Sequence, residues 1–255
     1  MDIFKSIKRT AKRIVTILRE RRHKSVKYLF FPCKSSDRLI VVFSAFGGPD
    51  AQPRYNYLKS LATARVNRLY ILDDLGDPKR IGTYNLGLNG DFFQIEEVCE
   101  LIRNLMTQCG AKKLCCAGSS KGGTTAVFYG LRLGADLIVS GAPQYRVGSY
   151  LSHPSLQSIL EKIMGNASEE SREKLDAFFK SALLERGNPN ATVFLHYSPK
   201  EHTYYNHIRF LIEDLRASGV NLIEDNDYDY VDHGEVAKYF PRILRAQVES
   251  FISSN

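Results

Sequence analysis

The sequence predicts an α/β protein with a doubly wound, mostly parallel sheet, on three observations. Short apolar runs of strand length alternate with segments of helical periodicity through most of the chain, the pattern left by strands joined through crossover helices. Between one such run and the next helix stands Ala117-Gly118-Ser119-Ser120-Lys121-Gly122-Gly123, a serine framed by glycines at a strand-to-helix turn. A length of 255 residues suits one large domain and is short for two.

The first 27 residues read as a separate leader. Residues 1–30 carry ten Lys and Arg against Asp2 and Glu20, a local charge of +8 in a chain whose total is +7, so the basic balance belongs to this segment. On a helix, Ile3, Phe4, Ile7, Ala11, Ile14, Val15 and Leu18 share one stripe, while Lys5, Lys8, Arg9, Lys12 and Arg13 occupy the rest. Such a helix lies on an anionic membrane through residues 3–19, or packs its stripe on the domain or on a partner subunit. Aromatic interleaving of the kind that stacks bases is absent, and no nucleic acid is expected.

Residues 28–255 read as the single catalytic domain. Val26 to Phe31 is an edge strand stopped by Pro32, and Arg38 to Phe43 (RLIVVF) is a continuous apolar run of the sort covered on both faces. Arg54 to Ala64 is expected as helix, Arg68 to Leu72 as strand and Phe92 to Cys109 as a longer helix. Lys112 to Cys116 is the strand before the serine, Thr124 to Leu133 the helix after it, and Asp136 to Ser140 the next buried strand. The alternation breaks over residues 144–190, which read as two or three helices: an insertion over the site, or a layer packed on the sheet. Strand Thr192 to Tyr197, helix Thr203 to Ala217, strand Asn221 to Glu224 and helix Glu235 to Glu249 complete the pattern.

A hydrophobic content of 44% with 25% charged residues argues against a disordered chain, and no apolar stretch is long enough to span a bilayer. The five cysteines are odd in number and lack the spacing of a disulfide framework or a zinc ligand set, so core positions in a reducing cytoplasm, with no bound metal, are expected.

In a GxSxG elbow the serine sits on a strained turn where strand and helix backbones nearly touch, which is why the flanking positions must be small. Ser120 fits that frame through Gly118 and Gly122; Ser119, flanked at the same offset by Ala117 and Lys121, does not. A glycine-rich turn also suits a phosphate loop, but Thr124 stands where the phosphate-gripping lysine of that motif belongs.

A serine needs a base, and the base a group to orient it. In α/β-hydrolase order the acid and then the histidine follow the serine. His233 lies in a loop between the last strand and the last helix, where that order places the base, whereas His207 falls inside a helix. Glu201 is the carboxylate of the loop after strand Thr192 to Tyr197 and the first candidate for the acid, with Asp225 and Asp227 as substitutes. Backbone amides of Lys121 and of Phe46, in the glycine-bearing loop after Phe43, are the candidate oxyanion donors.

The combination FSAFG (Phe43 to Gly47), RYNY (Arg54 to Tyr57), GDFF (Gly90 to Phe93), GSSKGG (Gly118 to Gly123), GAPQY (Gly141 to Tyr145) and DHGEV (Asp232 to Val236) resembles a group of α/β-hydrolases found with bacterial capsular-polysaccharide biosynthesis. It is also similar to the O-acetyltransferase of the accessory secretion system that modifies adhesin glycans. The resemblance runs from about Arg38 to Phe240 and implies a Ser-His-acid triad of Ser120, Glu201 and His233. It implies transfer of an acetyl group from acetyl-CoA to a sugar hydroxyl of a surface polysaccharide. The basic leader has no counterpart in that pattern; its charge and apolar stripe alone carry the expectation of a cytoplasmic protein peripheral on the inner face of the cytoplasmic membrane. Lys121, Arg54 and the insertion are then the expected contacts for coenzyme A phosphates. An esterase acting on polysaccharide or lipid, and a non-catalytic scaffold, are the competing expectations; homo-oligomerisation is left open.

Overall fold

The computed structural model describes residues 19–47, 52–77, 80–185 and 190–254. The apolar runs become strands β1 (Arg21–His23), β2 (Val26–Phe31), β3 (Arg38–Phe43) and β4 (Asn67–Leu72), then a small ribbon of β5 (Gly76–Asp77) and β6 (Arg80–Ile81). Strands β7 (Lys113–Ser119), β8 (Leu137–Gly141), β9 (Thr192–His196) and β10 (Asn221–Asp225) follow. Eight of them form one sheet in the order β1-β2-β4-β3-β7-β8-β9-β10. From β4 to β10 every pairing is parallel, and β1 and β2 add an antiparallel edge.

Leu39 to Phe43 and Leu114 to Ser119 are buried along their whole length because helices cover both faces of the central strands. The chain leaves β3 toward β4 and returns on the other side to β7, so the connections after β3 and β7 diverge. That divergence opens a crevice at the carboxyl ends of these two strands, the place where open α/β sheets bind ligands.

The helix Gln94–Cys109 ends at Gly110, whose φ of 67° supplies the left-handed cap. Helix Lys121–Leu133 packs on β7 and β8. The break in alternation resolves into helices Val147–Leu151, Gln157–Met164 and Glu169–Glu185. The last of these packs on Lys121–Leu133, with Phe179 against Phe128 at a ring separation of 5.4 Å. After β9 a π-helical turn, Tyr204–Ile208, leads into helix Arg209–Ala217, and a 3-10 turn, His233–Glu235, leads into Val236–Ser253. No helix among the described residues is long and apolar enough to cross a membrane.

Three expectations are corrected. Residues 54–64 form turns rather than a helix, because Tyr57 takes a left-handed φ of 60° and its hydroxyl bonds to Ser119 Oγ instead of facing a helical neighbour. The sheet begins at Arg21, one strand before the expected edge strand Val26 to Phe31: the charged stretch Arg21–His23 pairs with β2, and Lys24, at φ 51°, turns the chain between them. The helix Thr203 to Ala217 opens with a π-turn. The amphipathic leader over residues 3–19 lies, apart from its last residue, outside the described residues.

Candidate active site

The strand-to-helix turn holds Ser120 at φ 52° and ψ −128°, a conformation that non-glycine residues adopt only under constraint. Its backbone N–H donates to Gly141 O at 2.7 Å, which fixes the turn to the end of β8. The glycines are steric necessities: a Cβ on Gly118 would stand 2.3 Å from Gly122 O, and one on Gly122 would stand 2.5 Å from Phe43 O. Ser119, one residue earlier, is buried at the end of β7.

Three elements bring their side chains to one line. Ser120 Oγ lies 2.8 Å from His233 Nε2, and His233 Nδ1 lies 2.8 Å from Glu201 Oε1. A carboxylate accepts and cannot donate, so Nδ1 carries the imidazole proton and Nε2 is free to accept the serine proton. Glu201 is completely buried in the loop after β9, with its backbone N–H bonded to Ser198 O. His233 opens the 3-10 turn, where Asp232 accepts from Gly234 N at 2.7 Å and caps the segment. The alternative acid Asp225 is engaged elsewhere: its carboxylate lies 2.9 Å from Nδ1 of the buried His196. Asp227 is exposed.

The loop after β3 lies alongside. Ala45 N donates to Asn56 Oδ1 at 2.9 Å, and the next amide, of Phe46, has no acceptor among the described residues. The Lys121 amide occupies the first position of its helix, where an N–H has no intrahelical acceptor. The Lys121 side chain is a correction to the expected phosphate contact. Its ammonium is buried, 2.5 Å from Asp73 Oδ2 and 5.3 Å from the Phe46 ring centroid, so no substrate phosphate reaches it. Burial pulls the pKa of this lysine down and the Asp73 charge opposes the shift. Arg54 is exposed on the segment that carries Asn56 and Tyr57.

Gln144 is the residue that sequence reasoning missed. It is fully buried, its backbone N–H donates to Thr124 Oγ1 at 2.9 Å, and its side-chain amide donates to Ser120 Oγ at 2.9 Å. The same Nε2 stands 3.4 Å from His233 Nε2. Gln144 Oε1 and Glu201 Oε2 are buried without partners among the described residues. The signal in the sequence is the GAPQY stretch, which carries part of the resemblance without pointing to a chemical role for its glutamine.

The parallel sheet, the strained turn at the end of β7 and the chain order serine, glutamate, histidine are those of an α/β-hydrolase fold. The chain is similar in structure to the capsule O-acetyltransferase of Neisseria meningitidis serogroup A, at 18% identity over 90% of this chain and 93% of that one, with a TM-score of 0.75. A histidine-to-alanine mutant of the same enzyme in complex with CoA gives 19% identity over 90% of this chain and 94% of that one, with a TM-score of 0.74. The glycosylation associate protein complex of Streptococcus agalactiae matches at 18% identity over 92% of this chain and 46% of that one, with a TM-score of 0.76. At these identities the likeness establishes a common fold. No protein-family model matches the chain, and no curated protein sequence does.

Proposed function

We propose that this chain is a serine-dependent O-acetyltransferase that moves an acetyl group from acetyl-CoA to a sugar hydroxyl of a bacterial surface polysaccharide. The observation that carries the reading is the continuous hydrogen-bonded line from Ser120 through His233 to Glu201 on an α/β-hydrolase elbow. The likeness to a capsule O-acetyltransferase seen with CoA supports the choice of donor.

Ser120 Oγ attacks the thioester carbonyl as His233 Nε2 takes its proton, and Glu201 stabilises the imidazolium that forms. The amides of Lys121 and Phe46 hold the oxyanion. Collapse breaks the C–S bond, the departing sulfur receives the proton from His233, and Ser120 is left acetylated. The acceptor hydroxyl then gives its proton to His233 and attacks the acetyl carbon, which releases the sugar ester and restores Ser120. Gln144, donating to Ser120 Oγ, steadies the nucleophile before attack. Arg54 takes a phosphate of the donor. The basic leader, residues 3–19, holds the domain to the anionic inner face of the cytoplasmic membrane.

An esterase would use the same apparatus with water as acceptor, and the CoA-bound neighbour favours transfer over it. Acetyl-CoA consumption measured with and without a panel of capsular polysaccharides separates the two. Consumption that depends on acceptor supports transfer; loss of acetyl-CoA independent of acceptor shows a hydrolase. Failure of a fluorophosphonate probe to label Ser120 leaves a scaffold.

A further inference from the structure

The helical insertion and the segment after Glu201 enclose a cleft of about 510 Å³, within the range of pockets that take small organic ligands. Basic groups come from both walls: Arg146 and His153 from the insertion, His202, His207 and Arg209 from the other side. Among the described residues that line it there is no carboxylate. The guanidinium carbons of Arg146 and Arg209 lie 5.2 and 4.6 Å from the centroid of the Phe210 ring. Arg209 makes no ion pair among the described residues, and the carboxylate paired with Arg146, that of Asp176, stands 4.0 Å from its Nε, beyond hydrogen-bond range.

The floor holds a buried histidine of defined tautomer. His207 Nδ1 accepts from the Arg146 backbone N–H at 3.3 Å, so the ring proton resides on Nε2. Burial, reinforced by His202 and Arg146, pushes its pKa down to about 4, which keeps the ring an uncharged donor at neutral pH. The cleft adjoins the relay, since His202 lines it and lies 6.2 Å, ring to ring, from His233.

We propose that this cleft binds a phosphate ester carried by one of the two substrates, with Arg146 and Arg209 as its charge partners and His207 Nε2 as a hydrogen-bond donor. The identity of the substrates rests on the acetyltransferase reading; the anion selectivity rests on the cleft itself. Guanidinium groups pair with phosphate oxygens in a fixed fork geometry, and the Phe210 ring beneath both holds them side by side in the cleft. With Lys121 committed to Asp73, this cleft adds two accessible guanidinium groups to Arg54 for a substrate that carries more than one phosphate.

Calorimetric titration of the full chain with adenosine 3',5'-bisphosphate, the phosphorylated end of coenzyme A, and with a phosphodiester-linked oligosaccharide tests the assignment. Loss of bisphosphate affinity by at least about tenfold in the Arg146→Gln/Arg209→Gln pair, with partial recovery in the Arg146→Lys/Arg209→Lys pair, assigns the cleft to the donor. The same loss confined to the oligosaccharide assigns it to the acceptor. Unchanged affinity for both ligands in the glutamine pair, or no binding of either by the wild type, overturns the proposal. Bisphosphate binding needs no acyl chemistry, so a cleft that binds normally in a protein whose Ser120 resists fluorophosphonate defeats the transferase reading alone.

Discussion

Lys121 and Asp73 form a buried ion pair, 2.5 Å from ammonium nitrogen to carboxylate oxygen, with the ammonium 5.3 Å from the centroid of the Phe46 ring. The partners are unequally supported. Asp73 also accepts from the backbone N–H of Thr83 and Asn85 and from the Thr83 hydroxyl, whereas Lys121 has the Phe46 ring beside this one carboxylate.

Asp73→Ala strands a buried ammonium and three donors, and is expected to cost about 3–5 kcal/mol in urea unfolding. Lys121→Met leaves a carboxylate still held by those donors and costs less. The Lys121→Met/Asp73→Asn pair lies nearer the wild type than Asp73→Ala does; the reverse ranking would show that the pair contributes little beyond packing.

Gln144→Leu keeps the shape and removes the donor to Ser120 Oγ. The expected result is a fall in kcat/KM of about tenfold to a hundredfold, with slower fluorophosphonate labelling and an unchanged melting temperature. Labelling at the wild-type rate would restrict Gln144 to a packing role.

Glu201→Gln retains an acceptor for His233 Nδ1 and loses the charge that stabilises the imidazolium. Turnover is expected to fall by about a thousandfold or more. Asp225→Asn, which alters the partner of His196, lowers stability and leaves turnover within about twofold, because Asp225 does not touch His233. Equal losses in the two variants would remove Glu201 from its assigned place.

The buried His207 predicts an acid-side stability loss. Its folded-state pKa of about 4 lies below the ordinary 6.5, so the native state resists the proton that the unfolded chain accepts. Its contribution is complete above pH 6.5 and fades as the pH falls through 4, by roughly 3 kcal/mol in all. Urea titrations at a series of pH values should show this slope in the wild type and a shallower one in His207→Gln.

Local spacing carried much of this in the sequence. The central parallel strands read as apolar runs because both their faces are buried, and Ser120 is distinguished from Ser119 because two backbones can approach only at glycine. Glu201 and His233 were found by chain order, which fixes the loop and not the distance; that distance follows from the pairing of β8, β9 and β10. Tertiary context overrode local pattern elsewhere. The helix expected over residues 54–64 yields to the left-handed backbone of Tyr57. Lys121 reads as a phosphate contact because a buried partner 48 residues away leaves no local trace. Gln144 acts through one amide, a group with no spacing rule of its own.

Ser120, Glu201 and His233 follow three different strands, β7, β9 and β10, and come within reach of one another only after each crossover has closed. A chain folded through β8 already contains the elbow but neither of its partners. Labelling of Ser120 by a fluorophosphonate probe during refolding is therefore expected only once β9 and β10 are in place, so its onset reports the docking of those strands.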